Sequence, residues 1–380
     1  MNKGVKIMLN MNKILEYAIA MNASDIHLIP GNKPTLRIAR KLVPVEKARE
    51  LTEDDMLEIY DYLVKGNIDE DDIYKTTRQL DTSYEHAGLR FRVNISHTDS
   101  MPVATLRIIK NELPEYEELG VPDIVRRMTY QTQGLILVTG KTNSGKTTTL
   151  NALINYINEN QNKKILTLES PVEYKHTSKK CLIVQKEVGR GKDSLTYSAG
   201  VKNSLREDCD VLVIGEIRDK ETMEAAIEMA ESGHLVIGTL HTKSCAETID
   251  RMINFYEVRD QAQIKYLIGS LLKLVVSQRL LPSVDGNSLI MVPEVMVVDN
   301  VVAGIIRKDK ISIAEIEDAI QSGSQIGSIG LINSLANLFV EGKLTLDQAK
   351  SQIEEKNLPI LNRTIMQMKI KKNDHDQNKN

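Results

Sequence analysis

An α/β protein, in which a small α+β domain precedes a parallel-sheet domain, is predicted by three observations. Beyond residue 122 the short apolar runs LILV, ILTL, VLVI and LVIGTL alternate with helical patterns, as in a parallel sheet covered on both faces. Residues 12–110 instead mix strand and helix periods on a shorter scale. Between the two, NELPEYEELGVP is acidic and proline-containing, the composition of a linker.

In chain order, NKILEYAIAMNA reads as an amphipathic helix, and DIHLIP and TLRIAR as strands. LTEDDMLEIYDYLVKGN reads as a helix with Thr52 as its N-cap, followed by the strands LRFRVNIS and VATLRIIK. After the apolar strands of the second domain, helices are expected to dominate from about residue 258. The end, KIKKNDHDQNKN, is polar and aperiodic, the signature of disorder. These readings divide the chain into an N-terminal domain (1–112), a linker (113–122), a second domain with a C-terminal helical part (123–365) and a disordered tail (366–380).

Composition narrows the class. With 380 residues the chain is long enough for two or three domains and an ample core. A net charge of −3 argues against a dedicated nucleic-acid binder, whose footprint is basic. Cys181, Cys209 and Cys245 form no C-x-x-C pair, which argues against structural zinc or a disulfide framework and for a reduced cytosol. No apolar run approaches membrane-spanning length, and MNKGVKIMLNMNK lacks the apolar core of a signal peptide.

The chemistry centres on GLILVTGKTNSGKTTTLNALINYI, which reads strand, glycine-rich turn, helix. Gly140, Gly145, Lys146 and Thr147 complete the phosphate-cradling pattern G-x-x-x-x-G-K-[ST]. Glycines let backbone N–H groups converge on phosphate oxygens, and the helix N-terminus adds partial positive charge. Gly140, Asn143, Ser144, Gly145, Lys146, Thr147 and Thr148 are therefore the candidate nucleotide contacts. Lys146 reaches the β- and γ-phosphates of ATP, and the Thr147 hydroxyl ligates Mg²⁺. Leu150, Leu153, Ile154 and Ile157 form the buried stripe of the helix that follows.

Ligands of open α/β sheets sit beyond the carboxyl ends of the strands. There ILTL runs into Glu169, with Glu173 four residues on, VLVI into Glu216, and LVIGTL into His241. Hydrolysis of a phosphoanhydride needs a metal, a carboxylate to position water, and cations on the developing charge. Glu216 is the Mg²⁺-side carboxylate, Glu173 or Glu169 the water-activating one, and His241 a sensor of the γ-phosphate.

Together the segments SDIHL, RFRVN, GKTNSGKTTTL, ILTLESPVEY, LREDCDVLVIGEIRD and GHLVIGTLHTKSCAETIDR resemble the type IV pilus retraction ATPases of the secretion ATPase superfamily. The likeness spans residues 14–362. It implies a PAS-like N-terminal domain, a RecA-like ATPase domain and a homohexamer. It also implies a cytoplasmic location at the inner face of the membrane, against an inner-membrane pilus platform protein, and no nucleic-acid partner. Glu173 becomes the catalytic base, Glu216 the Walker B acid and His241 a γ-phosphate contact. Arginines of the N-terminal domain, here Arg90, Arg92 and Arg107, would meet nucleotide at a subunit interface. The chain departs from the family pattern at Ser170, which replaces an Asp, and at Lys141 and Asn143, which replace Pro and Gly.

Three features favour retraction over the assembly and secretion ATPases of the superfamily. The N-terminal domain begins near residue 11, where those relatives carry an extra domain first. The paired C-x-x-C metal site common among them is missing. VVAGIIRKDKI resembles a segment of retraction ATPases, with Ala303 and Gly304 in place of Arg and Asn. The other readings are an assembly or secretion ATPase, a slow nucleotide-gated switch and, more weakly, a nucleic-acid translocase.

Overall fold

The computed structural model describes residues 10–38, 41–64, 67–109, 113–286 and 288–377. They divide into two compact units. The first is Met1–Leu113 with Glu169–Lys175 and Lys186–Thr196; the second is Pro114–Leu168 with His176–Gln185 and Tyr197–Asn380. Both mix helices with sheet, in line with the α/β class that the sequence predicts.

In the first unit the described residues form an antiparallel sheet of β1 (Asp25–Leu28), β2 (Thr35–Ile38), β3 (Lys41–Pro44), β4 (Leu80–His86), β5 (Leu89–Thr98) and β6 (Met101–Ile109). Their order is β3-β2-β1-β6-β5-β4. The helices Met11–Ala20 and Glu53–Val64 bring Leu15, Met56 and Ile59 into one core with Phe91, Val93 and Leu106 of the sheet. Thr52 caps as the sequence predicts: its hydroxyl accepts from the Asp55 N–H at 3.2 Å, a contact worth about 1 kcal/mol. The sequence reading lacks β3, whose residues are all exposed, and β4, which is largely polar. Residues 39 and 40, the end of the strand expected at TLRIAR, lie outside the described residues.

The second unit is built on β7 (Gly134–Thr139), β8 (Lys164–Glu169), β9 (Leu182–Glu187), β10 (Val211–Ile214), β11 (Leu235–Leu240), β12 (Leu272–Pro282) and β13 (Leu289–Val297). The order is β13-β12-β7-β11-β10-β8-β9. From β12 through β8 the neighbours run parallel, and every residue of β7, β10 and β11 is buried. These strands are nearly continuous apolar runs because both faces are covered.

Three expectations need correction. Helices do not take over from residue 258: β12 and β13 form a long antiparallel hairpin that extends the sheet. Near-continuous apolar runs such as LIMVPEVMV carry no decisive period, so the hairpin is not readable from them. The expected linker 113–122 holds a short 3₁₀ turn, Tyr116–Leu119, with Tyr116 buried and donating to the Pro122 carbonyl at 3.0 Å. Residues 366–377, expected to be disordered, continue the helix Leu358–Gln377, because Leu361 and Ile365 anchor it to a small core with Val292, Leu335 and Leu344.

Candidate functional site

The strand β7 runs into the phosphate loop, and the helix Lys146–Asn160 begins at its end. Gly140 has φ of 147° and Gly145 φ of 84°, and an added Cβ at Gly140 would fall 2.4 Å from Ser144 Oγ and 2.5 Å from the Gln278 carbonyl. Only glycine fits there. Asn143 takes the left-handed region, with φ of 64°, in place of the family's glycine; Asn tolerates that backbone better than most residues. The predicted stripe Leu150, Leu153, Ile154 and Ile157 is buried.

Lys146 folds back on the loop. Its Nζ donates to the carbonyls of Gly140 at 2.8 Å and Lys141 at 3.0 Å. Burial pulls this ammonium below its ordinary pKa, against the opposing charge of Glu216. Nearby the Ser144 hydroxyl and the Gln278 Oε1 are buried without a hydrogen-bond partner, and buried polar atoms of that kind call for one. A cavity of about 400 Å³ opens beside the loop, walled by Asn143, Ser144, Lys243, Gln278, Arg279 and Gln352.

Two further strand ends complete this half of the site. Thr239 on β11 donates to the Gly215 carbonyl at 2.6 Å, fixing the turn after β10 that carries Glu216. His241, just beyond β11, is held by a well-anchored turn. Thr242 meets Thr248 at 2.7 Å, and Ser244 caps the helix Cys245–Asn254. His241 Nε2 lies 2.8 Å from Glu216 Oε1, and its Nδ1 lies 3.4 Å from Lys146 Nζ. With Nε2 protonated, the ring donates to the carboxylate while Nδ1 faces the ammonium. Arg218 Nη2 takes the other Glu216 oxygen at 2.6 Å. Burial works to raise the Glu216 pKa, but the hydrogen bonds and charges of Arg218 and His241 outweigh it and hold the carboxyl below its ordinary value.

Thr147 and Thr148 stand half-buried in the first turn of the helix. A hydroxyl on Thr147 and an ionised carboxylate on Glu216 are hard oxygen donors, the chemistry that Mg²⁺ shares with phosphate oxygens. Deeper in the helix Asn151 donates to the Thr147 carbonyl at 2.9 Å and contacts His176 Nε2 at 2.7 Å. Burial drops the His176 pKa to about 4, so this link is neutral at physiological pH.

The first unit carries the remaining candidates. Arg92 on β5 is the register partner of Arg107 on β6, so the two guanidinium groups share a face. Arg107 Nε is 2.9 Å from Asp25 Oδ1. Glu173 is half-buried. Burial raises its pKa, against the charges of Arg92 and Arg107. Glu169, the alternative base, is buried at the end of β8. Arg90 differs from its neighbours: it is only 15% exposed and spans Glu187 Oε2 at 3.2 Å and Ser83 Oγ at 2.9 Å.

With this geometry in view, residues 2–289 match the family described as Type II/IV secretion system protein. The chain belongs to this family, on the branch of the type IV pilus retraction ATPases. The type IV pilus retraction ATPase PilT of Pseudomonas aeruginosa is 35% identical over 350 residues, covering 90% of this chain and 98% of PilT. A twitching motility protein of Neisseria gonorrhoeae is 38% identical over 283 residues, 74% of this chain and 75% of that protein. The crystal structure of the pilus retraction motor PilT with bound ADP matches with a TM-score of 0.83 at 33% identity, over 92% of this chain and 98% of that one.

Sequence reasoning does not reach two residues of this retraction-branch ATPase. Arg218 follows Glu216 by two positions, in GEIRD, but nothing in that spacing says its side chain turns back. Gln278 donates to the Ser144 carbonyl at 2.6 Å from 134 residues away in sequence. Its one signal is the polar pair Ser277–Gln278, both buried within the apolar run LVVSQRLL.

Proposed function

We propose that this chain is the ATP-hydrolysing motor of type IV pilus retraction. The observation that carries the reading is the chain of contacts from Lys146 through His241 to Glu216, in a protein 35% identical to PilT along nearly the whole of PilT. A phosphate-loop lysine and a strand-end carboxylate joined by a histidine form a unit that responds to what occupies the loop.

The roles follow from chemistry. Backbone N–H groups from Gly140 to Thr148 hold the phosphates, and Lys146 leaves the loop carbonyls to neutralise the β- and γ-oxygens. Thr147 and Glu216 would hold Mg²⁺, which would supply charge stabilisation to the phosphates. Glu173 accepts the proton of the attacking water. His241 reports on the γ-phosphate. Arg92 and Arg107 act on the nucleotide of a neighbouring subunit in a homohexamer. Arg90 we assign to holding Glu187 rather than to nucleotide.

We read residues 1–112 as a PAS-like domain and 123–365 as a RecA-like ATPase domain. ATP turnover moves the two relative to each other and drives pilus disassembly through an inner-membrane platform protein. No helix among the described residues is long and apolar enough to cross a membrane; a peripheral place at the cytoplasmic face fits this reading. The test is steady-state ATPase activity of the purified full chain with Mg²⁺, alongside native mass spectrometry. Continuous turnover by hexamers is expected. A single round followed by a stall would make the protein a switch instead.

A further inference from the structure

The first unit takes in two short stretches of the later sequence, Glu169–Lys175 and Lys186–Thr196. Glu173 lies in the earlier one, so whatever holds these stretches also holds the expected base. They are joined to each other by the Val188 N–H, which donates to the Glu169 carbonyl at 2.7 Å. The later stretch is closely seated. Gly191 has φ of 71°, and an added Cβ there would fall 2.7 Å from Asp69 Cβ on the helix Ile68–Thr77.

At the centre stands Glu187, and both of its carboxylate oxygens are engaged. Oε1 lies 3.1 Å from Lys192 Nζ. Oε2 accepts from Arg90 Nη2 at 3.2 Å and from the Val172 N–H at 3.4 Å, immediately before Glu173. Lys192 in turn reaches Glu70 Oε1 at 2.6 Å, and the same oxygen accepts from the Thr82 hydroxyl at 2.6 Å. Burial works against the Lys192 charge, but Glu70 and Glu187 outweigh it and hold its pKa above the ordinary value. The side chains of Glu70, Glu187, Arg90 and Lys192 are between 6% and 18% exposed. Two outer pairs, Arg190–Asp72 at 3.2 Å and Lys175–Glu85 at 2.6 Å, stand in solvent and contribute little. The inner network is different. Removing one member leaves the others part-buried and uncompensated, and the backbone that it holds loses its anchor.

We propose that Glu187 is a positioning residue for Glu173. Held by Lys192 and Arg90, it fixes the Val172 N–H and with it the backbone that aims the Glu173 carboxylate at water. The proposal rests on Glu173 being the base. Steady-state ATPase kinetics of the full chain test it as a double-mutant cycle. Glu187→Ala should lower kcat by roughly tenfold or more, with KM and ATP affinity near wild type, because misaiming a base costs rate rather than binding. In a Glu173→Gln background the same change should cost less than about twofold, since no carboxylate is left to aim. Glu187→Gln keeps one acceptor oxygen and should recover part of the loss. Lys192→Met should repeat the pattern at smaller size, and it carries the test should Glu187→Ala not fold. Wild-type kcat in the folded variant would overturn the positioning role, as would a loss confined to KM and ATP affinity. Equal losses with and without the Glu173 carboxylate would also overturn it and make the network a support of the fold alone. A Glu173→Gln protein as fast as wild type would instead remove the base reading, and the positioning role would fall with it.

Discussion

His241 bridges Glu216 and Lys146, with Nε2 2.8 Å from the Glu216 carboxylate and Nδ1 3.4 Å from the Lys146 ammonium. The three residues follow three parallel strands, β7, β10 and β11, so the sheet brings to one edge what the sequence separates. Each bridged group is set for its part. Glu216 is held ionised, and Lys146 rests on loop carbonyls that a phosphate can replace.

Lys146→Ala should abolish ATP turnover and weaken nucleotide binding, because the cation held on the loop carbonyls is removed while the backbone cradle remains. Losses of phosphate-binding cations reach 10²-fold or more in rate, as an order of magnitude. Isothermal titration with ATP and a steady-state assay check both parts. Wild-type turnover would falsify the phosphate-loop assignment.

Glu173→Gln and Glu216→Gln should bind ATP and hydrolyse it slowly, by a factor on the order of 10² to 10⁴. Binding rests on the loop and Lys146, whereas the carboxylates act on water and metal. Glu169→Gln serves as the control. Should it be inactive while Glu173→Gln is nearly normal, Glu169 is the base.

The acid limb of kcat/KM should lie above the pH of an ordinary glutamate, since burial raises the Glu173 pKa over its usual 4.5 and the charges of Arg92 and Arg107 only partly oppose this. The base works deprotonated, so a raised pKa costs activity on the acid side. Arg92→Ala removes a charge that lowers this pKa; the limb should move to still higher pH. Turnover should also drop, by roughly 10³ if the arginine acts on the transition state. A limb that moves to lower pH contradicts the pairing. Mixing Arg92→Ala with Lys146→Ala subunits should restore some activity if the arginine acts in trans.

Gly140→Ala should lose nucleotide binding and melt at a lower temperature. The new methyl would meet the Gln278 carbonyl at 2.5 Å on a backbone with φ of 147°, strain on the order of 1–3 kcal/mol. Differential scanning fluorimetry with and without ATP reads both effects. A variant with unchanged melting and ATP response would show that the loop relaxes freely.

Much of this site is legible in the sequence because its parts are encoded locally. The spacing of Gly140, Gly145, Lys146 and Thr147 dictates the loop, and each apolar strand announces the residue at its end. Pairings across long separations are a different matter. Arg90 sits on the expected face of β5, yet its ion-pair partner Glu187 is 97 residues away, and no local pattern announces that pairing. Gln278 belongs to a strand whose apolar run reads equally well as helix. The tail fails for a related reason: its polar composition suggests disorder, while two apolar anchors, Leu361 and Ile365, suffice to hold it as helix.

The most direct test of the motor reading is live imaging of labelled pili in the native cells, with the gene deleted or carrying Lys146→Ala. The account predicts abundant surface pili that extend and fail to retract, with twitching movement lost. Bald cells that still make pilin would contradict it and move the protein to the assembly side of the family.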